Sequence, residues 1–363
     1  MTDTSQNSGE GKNIAIFIRS LNRGGAEKQC LLLAKGLSKL NNVVVIVFYK
    51  EGDLLKSLDG DESLFFFPSG NVVLKCVELY RYLVRNRVQV LFNFLPLNNI
   101  LGGVLGRLAR VNNIYNGIRG TNYQKGKLKM SAQFIVSNYL VDGVISNSFM
   151  AKSIYIQNGY KQENIAVVHN GISVNRRLIC REESERVNIL TVGRFVCEKD
   201  YKTAIYAVRE CCNILAEIRI DIKYWIVGYG EYREEIISLI NELDLSNVIT
   251  VHDGRMDLSE FYMHADVYLS TSKHEGMSNT IMEAMSYSLP IIATDSGDTS
   301  FLVKDEYNGF ICNIGDRDVL GNRLSRVAQN AKMRLEMGAN SYNKIVTDFS
   351  MEKMVAKYVR IVG

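Results

Sequence analysis

The sequence predicts an α/β protein made of two Rossmann-like, doubly wound parallel-sheet domains. Three observations carry this. Short apolar runs alternate with helical patterns along all 363 residues. Most of those runs are rich in Val and Ile and apolar nearly throughout, as strands covered on both faces are. One local unit of strand, glycine-containing loop and helix also occurs twice. It appears as NIAIFIRSLNRGGAEKQ from residue 13 and as VNILTVGRFVCEKDYKTA from residue 187. Such a unit opens a doubly wound domain.

Taken in order, residues 1–12 are small and polar, lack a basic segment and an apolar segment, and read as a disordered tail rather than a signal peptide. The strand runs that follow are NIAIFI, NVVVIVFY, SLFFF, VQVLFNF, NNIYNGI, DGVISNS and NIAVVHN, giving a first domain over 13–172. Its first helix, AEKQCLLLAKGLSKL, offers Leu31, Leu32, Ala34 and Leu37 to a core. The stretch 90–106 is apolar but is interrupted by Asn93, Pro96, Asn98 and Asn99, so it reads as strand then helix rather than a membrane span. A charged linker is expected over 173–186. The second domain, 187–345, carries VNILTVG, IKYWIVG, NVITVHD, ADVYLSTS, PIIATD and GFICN, with a helix YREEIISLINEL that pairs Ile236, Ile237, Ile240 and Leu243. A last helical segment occupies 346–363.

Composition narrows the function classes. Hydrophobic residues at 47% and charged residues at 23% describe an ordinary globular protein. Seven cysteines with no CxxC pair, and no signal peptide, point to free thiols in a reducing, cytoplasmic setting. The four histidines (169, 252, 264, 274) form no metal-ligand spacing, so no protein-held metal is expected. Net charge is +4, but residues 1–170 hold 20 Lys+Arg against 11 Asp+Glu. That basic half suits an anionic lipid surface or a phosphorylated substrate. The aromatic-interleaved basic motifs of nucleic-acid modules are absent, so no nucleic acid is expected.

Ligands of such sheets sit at the carboxyl ends of strands, near helix N-termini. Two loops fit. RSLNRGGAE (19–27) has Gly24 and Gly25, which permit unusual dihedrals and close backbone approach, beside Arg19 and Arg23. The same residues also fit a plain tight turn. VGRFVCEKD (192–200) has Gly193, Arg194 and Lys199, two cations where the next helix starts. They oppose the helix dipole unless an anion binds between them. A third loop, HEGMSNTIMEAM (274–285), carries Glu275 before a helix that starts near Asn279 or Thr280, and Glu283 inside it. Thr280 and Glu283 match a capping box, which accounts for Glu283 but not for Glu275 or the turn Gly276-Met277-Ser278. Carboxylates with backbone amides suit a polyhydroxyl ligand.

Together these residues make the chain resemble the retaining glycosyltransferases of the GT-B fold, glycosyltransferase family 4 (group 1), from about residue 12 to the C-terminus. The carrying pieces are residues 24–27, Asn170-Gly171-Ile172, Gly193-Arg194 with Lys199, Gly228-Tyr229-Gly230, and Glu275 to Glu283 followed by Ala284. The resemblance implies two Rossmann-like domains facing a central cleft, the donor on the C-terminal one, and a last helix that returns to the N-terminal one. It implies that Arg194 and Lys199 hold the donor diphosphate and Glu283 the ribose, that Glu275 meets the sugar, and that the amides of Gly276 to Ser278 meet sugar or phosphate. It implies closure by Gly24 and Gly25, and a base near Gly228, Gly254 and Arg255. The family's usual first-domain histidine is missing from NGIRGTNYQKGK, leaving Arg119 and Asn122 with Arg19 as acceptor-side candidates.

The expected activity is transfer of a hexose or N-acetylhexosamine from a nucleotide sugar, by family habit UDP-linked. The acceptor is a hydroxyl of a glycan or lipid-linked molecule, the configuration is retained, and the setting is bacterial surface polysaccharide synthesis. No metal or other cofactor is expected. Asp59-Gly60-Asp61 and Asp316-Arg317-Asp318 match a metal-binding Asp-x-Asp in letters but read as solvated turn or helix-start acids. Contact with the inner face of the cytoplasmic membrane is a further expectation. The alternatives are a non-catalytic glycan-binding or partner subunit of the same fold, or a nucleotide-sugar epimerase.

Overall fold

In the computed structural model the described residues are 11–22, 24–57, 63–67, 70–121, 128–174, 186–218, 220–254 and 257–363. Arg23, Asn122, Arg255, the Asp59-Gly60-Asp61 turn and most of the expected linker lie outside them. The chain divides into two compact units, Met1–Gly171 with Met351–Gly363, and Ile172–Ser350.

The first unit has strands β1 (Asn13–Ile18), β2 (Asn42–Val47), β3 (Ser63–Phe66), β4 (Val90–Phe94), β5 (Asn113–Ile118), β6 (Gly143–Ser146) and β7 (Ile165–Val167). All pairs are parallel, in the order β3-β2-β1-β4-β5-β6-β7. Helices α1 (Gly25–Ser38), α2 (Val72–Arg85), α3 (Pro96–Leu108), α4 (Leu128–Tyr139) and α5 (Phe149–Gln157) connect them. The strand β1 shows why its sequence is apolar at every position from Ile14 to Ile18. Ile14, Ile16 and Ile18 enter one core with Leu33 and Leu37 of α1, while Ala15 and Phe17 enter another with Leu79 and Leu83 of α2. Period-two alternation with both faces buried demands such a run. In α1 the core face is Gln29, Cys30, Leu33, Ala34 and Leu37; Leu31 and Leu32, expected on it, are half-buried.

The second unit repeats the plan. Strands β8 (Arg186–Arg194), β9 (Asp221–Tyr229), β10 (Ile249–Asp253), β11 (Val267–Ser270), β12 (Ile291–Thr294) and β13 (Gly309–Cys312) are all parallel, in the order β10-β9-β8-β11-β12-β13. Helices α6 (Tyr201–Ala216), α7 (Arg233–Glu242), α8 (Ser259–His264), α9 (Asn279–Ser286), α10 (Thr299–Leu302), α11 (Arg317–Gln329) and α12 (Ala331–Asp348) complete it. Val187 and Ile189 of β8 face one core, Leu190 and Val192 the other. Of the four residues expected on the apolar face of α7, Ile236 and Ile240 are the buried ones. Among the described cysteines all are free thiols.

The final helix, α13 (Met351–Val362), packs in the first unit against α1. Its Met354 and Tyr358 join the core of β1 and α1, and Tyr115 of β5 donates to the Ile361 carbonyl at 2.8 Å.

Candidate functional site

In both sheets the strand order reverses beside the first strand of the unit, between β1 and β4 and between β8 and β11. The crevice at the carboxyl ends of two such strands is where open α/β sheets bind ligands. In the second unit, the loop after β8 carries Arg194 and Lys199, and the loop after β11 carries Glu275.

The structure brings the second and third of these together. The Lys199 ammonium is hydrogen-bonded to the Glu275 carboxylate, and Ser272 Oγ donates to the same oxygen at 3.0 Å. The backbone is stitched to match. Thr271 Oγ1 donates to the carbonyls of Lys199 (3.0 Å) and Asp200 (2.9 Å), and the Lys273 N–H donates to the Glu198 carbonyl at 2.8 Å. A third loop, after β12, closes on Glu275 from the other side. The Asp298 N–H donates to the Gly276 carbonyl at 2.9 Å. Gly297 sits at φ 62°, and a Cβ there would lie 2.2 Å from the Glu275 carbonyl oxygen. Only glycine meets both the left-handed backbone and that approach.

The glycines at the strand ends serve the same approach. A Cβ on Gly228 would lie 1.8 Å from the Gly193 carbonyl oxygen, and one on Gly193 would touch the Lys199 stem at 3.5 Å. The Gly254 N–H donates to the Gly228 carbonyl at 2.7 Å, which joins the ends of β9 and β10.

Two sequence arguments are corrected here. The pair Arg194 and Lys199 was expected to need a bound anion at a helix start. The chain supplies anions itself. Asp200, in the left-handed conformation at φ 47°, caps α6 by accepting from the Thr203 N–H at 3.5 Å, also accepts from Thr203 Oγ1 at 2.8 Å, and has Lys273 3.3 Å from its carboxylate. Glu275 compensates Lys199. Arg194 stays exposed, and its side chain enters no ion pair among the described residues. The capping box at Thr280 and Glu283 is also absent. The N-cap of α9 is Ser278, which makes no side-chain cap bond, so Thr280 is the second helical residue and is out of register for a cap. Glu283 instead accepts from Tyr262 Oη of α8 at 2.9 Å. Burial first, and then the Glu283 charge, push the Tyr262 phenol well above its ordinary range, so it remains a donor.

The remaining candidates fall as follows. Met277 is buried in the apolar core and anchors the loop, Ser278 is buried with its Oγ 3.3 Å from Thr280 Oγ1, and Asn279 opens the helix. In the first unit, Gly24 is the N-cap of α1 in ordinary extended backbone, φ −135°, not the unusual dihedral expected. Its small size still matters, since a Cβ would lie 2.0 Å from the Glu27 carboxylate, which reaches back to the helix start. Arg19 is exposed with its guanidinium 5.5 Å from the Tyr49 ring. Arg119 stacks on Phe94 at 4.2 Å and donates to Tyr358 Oη, while its buried Nε has no hydrogen-bond partner among the described residues. Asp316 caps α11 by accepting from the Val319 N–H at 3.1 Å.

Sequence reading missed Ser272, Lys273, Asp200 and Tyr262. Only Gly297, inside the TDSGD turn, had a visible signal.

Residues 179–344 match the family described as Glycosyl transferases group 1. A lipopolysaccharide core biosynthesis glycosyltransferase of Rhizobium meliloti is 24% identical over 175 residues, 48% of this chain and 49% of its own. The UDP-Gal:alpha-D-GlcNAc-diphosphoundecaprenol alpha-1,3-galactosyltransferase of Escherichia coli is 24% identical over 339 residues, 86% of each chain. Anabaena HepE, in its crystal structure with UDP-glucose, has the same fold. The TM-score is 0.81 at 19% identity, over 96% of this chain and 98% of that one.

Proposed function

We propose that the chain, which has the GT-B fold and matches the glycosyl transferases group 1 family over residues 179–344, is a glycosyltransferase of that group. It moves a hexose or N-acetylhexosamine from a UDP-linked sugar to a hydroxyl of a glycan or lipid-linked acceptor. Configuration is retained, and the product belongs to a bacterial surface polysaccharide. The observation that carries this is the Lys199–Glu275 pair, held by three loops where the strand order of the second unit reverses. The names of the E. coli relative (a UDP-Gal donor, a diphosphoundecaprenol-linked acceptor) and the UDP-glucose bound by HepE support the donor and acceptor classes.

Breaking the anomeric C–O bond leaves an oxocarbenium-like sugar and sends the bonding pair to the diphosphate. That group gains negative charge and needs donors aimed at it. Lys199 has three N–H donors. Glu275 and the backbone around it fix the ammonium in place, and the remaining donors address a phosphate oxygen. Arg194, which enters no ion pair among the described residues and stands at the end of β8, adds a second cation. Glu275 then faces the sugar hydroxyls and Glu283 the ribose. The acceptor hydroxyl attacks from the side the diphosphate leaves, and a departing phosphate oxygen takes its proton. The chain supplies no nucleophile, and the donor is a co-substrate.

Thermal unfolding with UDP-glucose, UDP-galactose, UDP-N-acetylglucosamine and GDP-mannose tests this. A ligand present at 100 times its Kd adds about 2.7 kcal/mol. A rise of several degrees with a UDP sugar, and transfer whose product keeps the anomeric configuration by proton NMR, is expected. Stabilisation by none of the UDP sugars rejects the donor assignment.

A further inference from the structure

The hydroxyls of Thr191, Thr271, Tyr224 and Tyr268, set in or beside β8, β9 and β11, are all engaged by the fold. Tyr224 Oη donates to Thr191 Oγ1 at 2.8 Å, and Thr191 Oγ1 donates to the Leu269 carbonyl at 2.6 Å. Tyr268 Oη donates to the Val192 carbonyl at 3.2 Å. Thr271 Oγ1 donates to the carbonyls of Lys199 and Asp200. Tyr201 differs. It is 4% exposed, and its Oη has no hydrogen-bond partner among the described residues. A buried hydroxyl without a partner is destabilising, and phenylalanine would fill the same core without it. Nor can the oxygen turn away easily. Tyr201 is the first residue of α6 after the Asp200 cap, and its ring meets that of Phe195 edge-on with centroids 5.4 Å apart.

Position tells what this hydroxyl serves. A Cβ built on Gly193 would lie 3.1 Å from Tyr201 Oη and, from the same point, 3.5 Å from Cε and 3.6 Å from Cδ of Lys199. The phenol oxygen and the lysine stem therefore converge on one side of the Gly193 backbone. Burial first, with Tyr224, Tyr268 and Glu275 behind it, holds the phenol well above its ordinary range, so the oxygen keeps its proton and stays neutral. The Lys199 ammonium has three N–H donors, and Glu275 takes one. A bound phosphate oxygen takes another. An anion on the third would weaken the pull of the cation on the phosphate, whereas a neutral oxygen would hold the ammonium and leave its charge intact.

We propose that Tyr201 is a positioning residue for Lys199: its hydroxyl accepts from the ammonium once a nucleotide diphosphate is bound, and so fixes the direction of the cation on the leaving group. This rests on the donor reading of the second unit and adds a residue to it.

The test compares Tyr201→Phe with the wild-type chain in thermal melts with and without UDP, and in initial rates of UDP release from the UDP sugar that stabilises the wild type most. Without ligand, Tyr201→Phe should melt about 2–4 °C higher, since it removes an unsatisfied group. With UDP its rise in melting temperature should be smaller than that of the wild type. Its kcat should fall about tenfold, as for a slightly displaced cation, and by more than KM rises, which marks positioning rather than uniform binding. A merely structural tyrosine would not move stability up and kcat down. In a Lys199→Ala background Tyr201→Phe should change kcat by less than about twofold, because the hydroxyl acts through the lysine. A wild-type kcat in Tyr201→Phe, a lower melting temperature without ligand, or the same tenfold loss in the Lys199→Ala background overturns the proposal. A wild type that neither UDP nor any UDP sugar stabilises rejects the donor reading and this inference with it, whereas a wild-type rise that Tyr201→Phe keeps in full rejects this inference alone.

Discussion

Removing the Lys199 ammonium should separate catalysis from folding. In Lys199→Ala the Glu275 carboxylate keeps its Ser272 donor but loses its cation. Breaking a fully buried pair costs about 3–5 kcal/mol, whereas an exposed pair is worth about 0–1. The side chains here are 21% and 14% exposed, which places the loss between those limits. About 2 kcal/mol is the resulting expectation, a drop of about 4–8 °C for a unit of this size. A domain with about 5–15 kcal/mol of stability survives that. Transfer should fall further, by about 10²–10³ in kcat, since the ammonium is aimed at the leaving diphosphate. The assay pairs initial transfer rates at saturating UDP sugar with thermal melts of the same preparation. Lys199→Ala with Glu275→Ala should be no less stable than Lys199→Ala alone, because the second change removes the orphaned carboxylate. Double-mutant coupling of about 1 kcal/mol or more is expected. A wild-type rate in Lys199→Ala, or strictly additive stability losses, would refute the reasoning.

Two further outcomes follow from the same unit. Gly297→Ala places a Cβ 2.2 Å from the Glu275 carbonyl oxygen at a φ of 62°. It should cost at least about 1 kcal/mol in backbone strain and displace Glu275 enough to slow transfer about 10²-fold; an unchanged rate counts against the role of the third loop. Alkaline titration tests the buried phenols. Burial holds Tyr201, Tyr224, Tyr262 and Tyr268 above their ordinary value. Unfolded phenols ionise near pH ~10, so above that the unfolded state binds fewer protons than the folded one, and stability present below pH ~10 declines as pH rises. Melting temperature should fall from pH 10 upward while absorbance at 295 nm shows those tyrosines still neutral in the fold; a flat profile to pH 11 would count against it.

The sheets were legible because most strands are buried on both faces. NIAIFI and VNILTVG must be apolar at consecutive positions, and no helix of similar length needs that. The repeated opening unit also announced β1 and β8, the interior strands beside which the strand order reverses. What sequence could not reveal were partners made by folding. Lys199 and Glu275 are 76 residues apart, and nothing local says that they meet. Lys199 looked uncompensated because Glu275 was invisible as its counter-charge, whereas Arg194 enters no ion pair among the described residues. The Thr280 and Glu283 spacing fitted a cap, but the helix starts one residue after Ser278, and Tyr262, on another helix, takes the carboxylate. Gly24 was read through its dihedral freedom, whereas a folded-back glutamate explains its size.

The placement of α13 makes the first unit discontinuous along the chain. Met354 and Tyr358 complete a core whose other buried members all precede Gly171, and the Tyr358 partner Arg119 lies 239 residues upstream. Domains usually assemble as units while the ribosome is still elongating, N-terminal first. Here the earlier half leaves the exit tunnel with an open apolar trough along β1 and α1 that stays unfilled until α13 has followed the whole second unit out. The later half, whose strands are all contained between residues 172 and 350, meets no such delay and can complete itself first.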